Sequence, residues 1–99
     1  MTAPQKRARA IVLHERDNVA TALEDLPKGA EVPLTGRDGS VTLAEEIPFG
    51  HKFAIRDLAE GELVLKYGVP IGKLTSGVKA GQHVHVHNLV TLQWKEKNA

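Results

Sequence analysis

The stretch LAEGELV at residues 58–64 contains the pattern from which the fold of this chain can be predicted. An apolar residue stands three positions before a glycine, and another apolar residue stands three positions after it. The same form recurs as LPKGAEV at 26–32 and as VKAGQHV at 78–84. Glycine supplies the positive φ that tight turns require, so each copy predicts a turn that leads into a strand. Because the copies are unequally spaced, the pattern favours a compact sheet of short, bent strands over a solenoid.

The rest of the chain carries the apolar periodicity of strands, in short runs punctuated by glycine and proline. The run RAIVLH, from Arg9 to His14, is rich in β-branched residues and predicts a buried strand. Further strands are predicted in GSVTLAEEI, HKFAIRDL and GELVLKYG, in the segment Val69 to Leu74, and in a histidine-rich strand that continues through LVTLQW. The prediction is therefore a mostly β fold in one domain, residues 1–99, with residues 1–8 as a flexible tail.

One interval has a helical period instead. In DNVATALEDL, residues 17–26, the apolar residues fall on one side of a helix of about two turns. Asp17 and Asn18 are both good helix caps, and Pro27 would end the helix. The sequence thus predicts one short helix after the first strand.

Composition limits the classes of function. Thirteen basic residues nearly balance twelve acidic ones, which disfavours nucleic acid as a partner. The chain has no cysteine, which excludes a disulfide framework and thiolate chemistry. Its first residues lack the long apolar run of a secretion signal or a membrane span, so we expect a cytoplasmic protein without a membrane partner.

Three of the five histidines lie at alternate positions, His83, His85 and His87. In a strand they would share one face, with about 6.6 to 6.8 Å between successive side chains. Two of them could then bind one ion, but His83 and His87 would be about 13 Å apart. His-x-His is a recurrent donor arrangement for transition metals. A polar sheet face of hydrogen-bonded or hydrated imidazoles fits the same spacing, and spacing alone leaves both interpretations open.

Two other motifs carry chemistry. LHERDNVA places His14 at a strand end and Asp17 at a helix start, where a helix dipole would favour an anion. IPFGHK places His51 and Lys52 just after a turn, where they can reach a ligand. Each motif also has a purely structural interpretation, as a helix cap and as a solvated turn.

The segments LHERDNVATAL, IPFGHKFAIRDLAEGE, VLKYGVPIG and VHVHNL occur in that order from about Ile11 to Leu92. Together they resemble the amino-terminal SAF-type domain of the altronate and galactarate dehydratase family, which includes the sulfolactate sulfo-lyases. The terminal His-x-His-Asn is more similar to the altronate and sulfolactate branches than to the galactarate branch.

This resemblance implies a β-clip fold and a divalent metal, with iron(II) expected and manganese(II) or zinc(II) as alternatives. Carried over position by position, it predicts three sets of site residues. The predicted metal ligands are His14, His85 and His87. The predicted catalytic residues are His51, Lys52 and Asp17. The predicted substrate-binding residues are Asn18, Lys52 and Asn88, with Lys52 as a substrate clamp.

The resemblance also implies a function. The chain is predicted to be the small subunit of a lyase that eliminates water from a sugar acid such as altronate, inactive without a large catalytic subunit. The first alternative is the alpha subunit of a sulfolactate sulfo-lyase, in which bisulfite leaves. The second is a non-catalytic SAF module that binds a ligand.

Overall fold

In a computed structural model of the protein, residues 9–85 and 87–91 are described, and they form two β-sheets. The strands in chain order are β1 Ala10–Ile11, β2 Val19–Ala22, β3 Glu31–Thr35, β4 Ser40–Thr42, β5 Lys52–Ala54, β6 Leu63–Lys66, β7 Val69–Leu74, β8 His83–Val84 and β9 Leu89–Thr91. The larger sheet has the order β4-β3-β1-β2-β5-β8, and the smaller has the order β6-β7-β9. The mostly β prediction is confirmed. The predicted tail at residues 1–8 lies outside the described residues.

All the pairings are antiparallel except that of β1 with β3, which is parallel. None of the described residues forms a helix, so none forms one long and apolar enough to cross a membrane.

The glycine turns organise the chain into pairs. Gly29 has a φ of 86°, as the sequence pattern predicts, and Gly50 forms a fourth turn of the same kind with a φ of 84°. The Gly29 N–H donates to the Leu43 carbonyl, and the Gly50 N–H donates to the Ala22 carbonyl, each at 2.9 Å. Each turn therefore binds the segment that leads into the other turn: Leu43 precedes the turn at Gly50, and Ala22 precedes the turn at Gly29.

The second pair of turns repeats this arrangement. Gly61 and Gly81 have φ values of 86° and 89°. The Gly61 N–H donates to the Leu74 carbonyl at 2.9 Å, and the Gly81 N–H donates to the Ala54 carbonyl at 2.8 Å. The predicted turns are thus confirmed, and together with the turn at Gly50 they form two similar reciprocal pairs.

Two apolar cores lie on opposite sides of β5, because successive strand side chains point to opposite faces. Phe53 belongs to the first core, with Ala10, Val12, Ala20, Ala22, Leu26, Val32, Val41, Leu43 and Ile47. Ala54 belongs to the second core, with Val19, Leu58, Val64, Leu74, Val78, Val84 and Leu89. By the same alternation His51 lies on the side of Phe53, whereas Lys52 lies on the side of Ala54.

The predicted helix over residues 17–26 is wrong, since Val19–Ala22 is strand β2. This strand lies between β1 and β5 in the larger sheet, with Val19 paired to Ala54 and Ala22 paired to Ala10. Short apolar runs have weak local preferences, and pairing on both edges decides such cases. The predicted anion site at a helix start therefore has no helix to support it.

The predicted single histidine strand is also wrong, because β8 ends at Val84 and β9 begins at Leu89. Asn88 makes the turn between them: its Nδ2 donates to the His83 carbonyl at 2.8 Å, and its Oδ1 accepts from the His85 N–H at 2.9 Å. These bonds fold the segment back on itself. The predicted continuation of the strand through Leu92 to Trp94 lies outside the described residues.

Candidate metal and substrate site

Three imidazoles come together where β5 pairs with β8, and we call His51, His83 and His85 the histidine triad. Phe53 on β5 pairs with His83 on β8, which brings the turn residue His51 beside them. One ring nitrogen from each triad residue lies within 4.8 Å of the other two. The Nδ1 of His51 lies 2.8 Å from the Nε2 of His83, a hydrogen bond in which one nitrogen carries the proton. The three rings are stacked, with the centroids of His51 and His85 4.3 Å apart.

The surroundings of His83 and His85 favour the neutral form of these two imidazoles. Removal from water lowers the pKa of His83, and the neighbouring His51, His87 and His85 lower it further against the opposing effect of Glu45. Removal from water also has the largest effect on the pKa of His85, which it lowers. The nearby His51, Lys52 and His87 lower this pKa further. A neutral imidazole has a free nitrogen lone pair, which is the form that binds a metal ion.

Three imidazole donors suit a divalent transition metal such as iron(II), manganese(II) or zinc(II). The triad therefore fits the metal that the resemblance implies, although its membership differs from the predicted ligands. His85 belongs to both sets, whereas His51 is predicted to be catalytic and His83 is not among the ligands that the resemblance implies.

The other two predicted ligands lie outside the triad. His87 is exposed, and its ring centroid lies 5.2 Å from that of His83, because the chain turns after Val84. The exposed ring of His14 lies against Gly68, where an added Cβ would come within 3.0 Å of three ring atoms. The Nδ1 of His14 accepts from the Arg16 N–H at 3.0 Å, so neutral His14 carries its proton on Nε2.

Lys52 is half-buried next to the triad, although it leaves β5 on the opposite face from His51. Burial lowers the pKa of Lys52, and the charge of Lys66 lowers it further. The charge of Lys52 in turn contributes to the lowered pKa of His85. The predicted role of Lys52 as a clamp on the substrate stays a prediction.

Asp17 and Asn18 are buried, and both use their side chains on the backbone of the β6–β7 hairpin. The Asp17 carboxylate accepts from the N–H groups of Tyr67 at 3.0 Å and Gly68 at 2.8 Å. Asn18 donates to the Leu63 carbonyl and accepts from the Leu65 N–H, each at 2.9 Å. These bonds attach the hairpin to the start of β2. The predicted roles of Asp17 in catalysis and of Asn18 in substrate binding stay predictions.

Asn88, like Asp17 and Asn18, uses its side chain to bind backbone groups. It is buried, and both ends of its side-chain amide are engaged by the backbone that carries His83 and His85. It therefore fixes the course of the chain through the triad. Its predicted contact with substrate stays a prediction.

Sequence reasoning missed Glu45, whose carboxylate accepts from the His83 N–H at 2.9 Å. Glu45 reaches the triad because the Ala44 N–H donates to the Gly81 carbonyl at 2.9 Å, which joins two distant turns. An acidic residue in the run LAEEI gives no local signal of that contact. Only the pairing of the turns could have revealed it.

The sequence profile of the altronate/galactarate dehydratase SAF domain matches residues 8–92 of the chain. Altronate dehydratase of Escherichia coli K12 is 48% identical over 81 residues, which cover 82% of this chain but 16% of that enzyme. Altronate dehydratase of Bacillus subtilis 168 is 38% identical over a region of the same length. The chain thus spans about one sixth of the altronate dehydratases that it matches.

A relative of different length is the (2R)-sulfolactate sulfo-lyase subunit alpha of Chromohalobacter salexigens. It is 44% identical over 89 residues, which cover 84% of this chain and 95% of that subunit.

Proposed function

The chain belongs to the altronate/galactarate dehydratase SAF-domain family, as the resemblance indicated, and from this membership we propose that it forms part of a metal-dependent lyase. The substrate is a hydroxylated carboxylic acid such as altronate, from which water is eliminated. A larger catalytic subunit of the same family completes the enzyme, and the chain has no useful activity without it. A domain of this size has little room for a pocket that encloses a polar acid and excludes water.

The observation that carries this proposal is the meeting of the three triad imidazoles at one end of the β5–β8 pair. We assign the metal to His51, His83 and His85, since their nitrogens converge and the surroundings of His83 and His85 lower the pKa of those two rings. A divalent ion held there would supply Lewis-acid stabilisation of the charge that develops when a proton leaves the carbon next to a carboxylate.

The remaining polar groups of the chain have roles around that ion. The Lys52 ammonium binds the substrate carboxylate and offsets its charge near the triad. The exposed Nε2–H of His14 donates a hydrogen bond to an oxygen of the substrate, since its Nδ1 is already used by the Arg16 N–H.

Four residues position their neighbours through hydrogen bonds from their side chains to the backbone. Asn88 fixes the segment that carries His83 and His85, and Glu45 holds the His83 backbone. Asp17 and Asn18 hold the β6–β7 hairpin against β2. Loss of such a residue is expected to lower turnover through misplacement of its neighbours.

A second candidate is supported by the match across 95% of the sulfo-lyase alpha subunit. In this candidate the same residues serve an elimination in which bisulfite leaves in place of water. Both reactions begin with removal of a proton next to a carboxylate, so the triad and Lys52 suit either of them. Selection of the leaving group is then a property of the large subunit.

Kinetics of the purified chain, alone and combined with a large subunit of the family, would test the proposal on altronate and on (2R)-sulfolactate. We expect turnover of one acid by the combination and none by either chain alone. His51→Ala should lower that turnover at least tenfold, because it removes a metal ligand. Lys28→Ala, a change at an exposed turn residue, is the matched control. Full activity of the chain alone, or an unchanged rate in His51→Ala, would contradict the proposal.

A further inference from the structure

The imidazole of His14 lies face-on against Gly68, at the tip of the β6–β7 hairpin. A Cβ added to Gly68 would stand 3.0 Å from each of three atoms of this ring, Cγ, Cδ2 and Cε1. A point equally distant from three ring atoms lies on the axis through the centre of the ring. The Gly68 backbone therefore meets the flat face of the imidazole, and this close approach is possible because glycine has no side chain.

The proton of the His14 ring has one defined direction. Contact with Gly68 sets the plane of the ring. The Arg16 N–H donates to Nδ1 at 3.0 Å, which sets the edge of the ring that faces the backbone. In the neutral ring the other nitrogen, Nε2, then carries the proton. Together the two contacts determine where the Nε2–H of His14 points.

Asp17 holds both the loop that carries His14 and the tip that supports its ring. The Asp17 N–H donates to the His14 carbonyl at 3.0 Å. Its buried carboxylate accepts from the N–H groups of Tyr67 at 3.0 Å and Gly68 at 2.8 Å. Tyr67 and Gly68 have φ values of 59° and 75°, in the left-handed region, where a conformation persists when its surroundings determine it. The ring and its support are therefore held in a fixed relation by one residue.

We propose that Gly68 is a positioning residue, which orients the Nε2–H of His14 toward the substrate. His14 is exposed, so a side chain at position 68 displaces the ring to another rotamer and leaves the hairpin in place. The displaced ring loses its hydrogen bond from the Arg16 N–H. The orientation of the ring is a property of this chain alone. Its effect on turnover rests on the proposed function, in which His14 donates a hydrogen bond to the substrate.

NMR of the full isotope-labelled chain tests the orientation of the ring at about pH 8.5, above the usual titration range of histidine. The His14 signals are assigned by their absence in His14→Ala. In wild type we expect cross-relaxation between the His14 ring and the Gly68 α protons, an upfield shift of one α proton by the ring face, and nitrogen shifts of the Nε2–H tautomer. In Gly68→Ala the nitrogen shifts should move toward a mixture of both tautomers.

Gly29→Ala is the matched control. Gly29 has a φ of 86°, and an added Cβ would meet nothing within 4 Å, so this change strains the backbone without touching a ring. Its His14 signals should equal those of wild type. Absence of the wild-type contact signals, unchanged nitrogen shifts in Gly68→Ala, or an equal change in Gly29→Ala would overturn the proposal. The wild-type signals test the contact even if Gly68→Ala does not fold.

Kinetics of the chain combined with a large subunit distinguish positioning of His14 from a purely structural role. Gly68→Ala should lower kcat/KM about tenfold, as His14→Ala does, since one hydrogen bond to the substrate is lost. Because Gly68 acts through His14, the double variant His14→Ala/Gly68→Ala should be no slower than His14→Ala. A further loss in the double variant would show that Gly68 acts in another way. If the wild-type combination turns over neither acid, the lyase proposal fails, whereas the NMR result decides the orientation of His14 independently.

Discussion

The Nδ1 of His51 and the Nε2 of His83 lie 2.8 Å apart, although the two residues are separated by 32 positions in the sequence. Pairing of β5 with β8 at Phe53 and His83 produces this contact. A hydrogen bond between these two nitrogens requires a proton on one of them, so a metal ion and a proton would compete for the same nitrogens.

Stability of the metal-free chain is expected to fall on acidification. The pKa values of His83 and His85 are lower in the folded chain than their usual value of about 6.5. The unfolded chain therefore binds more protons between the lowered values and about pH 6.5. The contribution of these two histidines to the free energy of unfolding is fully present above about pH 6.5. It is lost as the pH falls through their lowered pKa values in the folded chain. The groups around the two rings are His51, His87, Lys52 and the opposing Glu45.

Urea denaturation with a chelator present, at pH 7.5 and pH 5.5, measures this effect. The free energy of unfolding should decrease at the lower pH, and it should decrease less in the double variant His83→Gln/His85→Gln. Equal decreases in the two proteins would show that these histidines do not cause the pH dependence.

Asp17→Ala should destabilise the chain by about 2–3 kcal/mol, because it removes an acceptor from two partly buried N–H groups. Asp38→Ala, at an exposed position in the β3–β4 turn, should change stability by less than about 0.5 kcal/mol. Thermal and urea denaturation of the two variants gives the comparison. Equal stability of Asp17→Ala and wild type would mean that the carboxylate does not hold the hairpin.

Local patterns predicted the fold where turn chemistry decides the structure. The glycine turns were visible because a positive φ needs a particular residue, and the predicted strand Val69 to Leu74 has the observed bounds. Residues 17–26 were misassigned because apolar spacing in a short run fits a helix as well as a strand. Val19–Ala22 pairs with β1 on one side and β5 on the other. The local spacing of apolar residues does not predict this long-range pairing.

The candidate site was predictable in its residue types but not in its grouping. His51 and His85 were expected in the site and both belong to the triad, and Lys52, also expected there, pairs with Val84 on β8. The separation of His83 from His87 was overestimated, because the distance assumed an extended strand that Asn88 in fact interrupts. The hydrogen bond between the His83 N–H and the Glu45 carboxylate depends on contacts between distant turns, and no local feature of the sequence indicates it.

Metal titration of the full chain tests the central claim most directly, because it distinguishes the triad from the ligands that resemblance alone predicted. Calorimetry with iron(II) under anaerobic conditions, and with manganese(II) and zinc(II), is compared in His83→Ala, His85→Ala, His14→Ala and His87→Ala. We predict one site that weakens at least tenfold in His83→Ala and His85→Ala, since each change removes a ligand. His14→Ala and His87→Ala should bind as wild type does. Unchanged affinity in His83→Ala, together with loss of binding in His14→Ala or His87→Ala, would contradict the triad as the metal site.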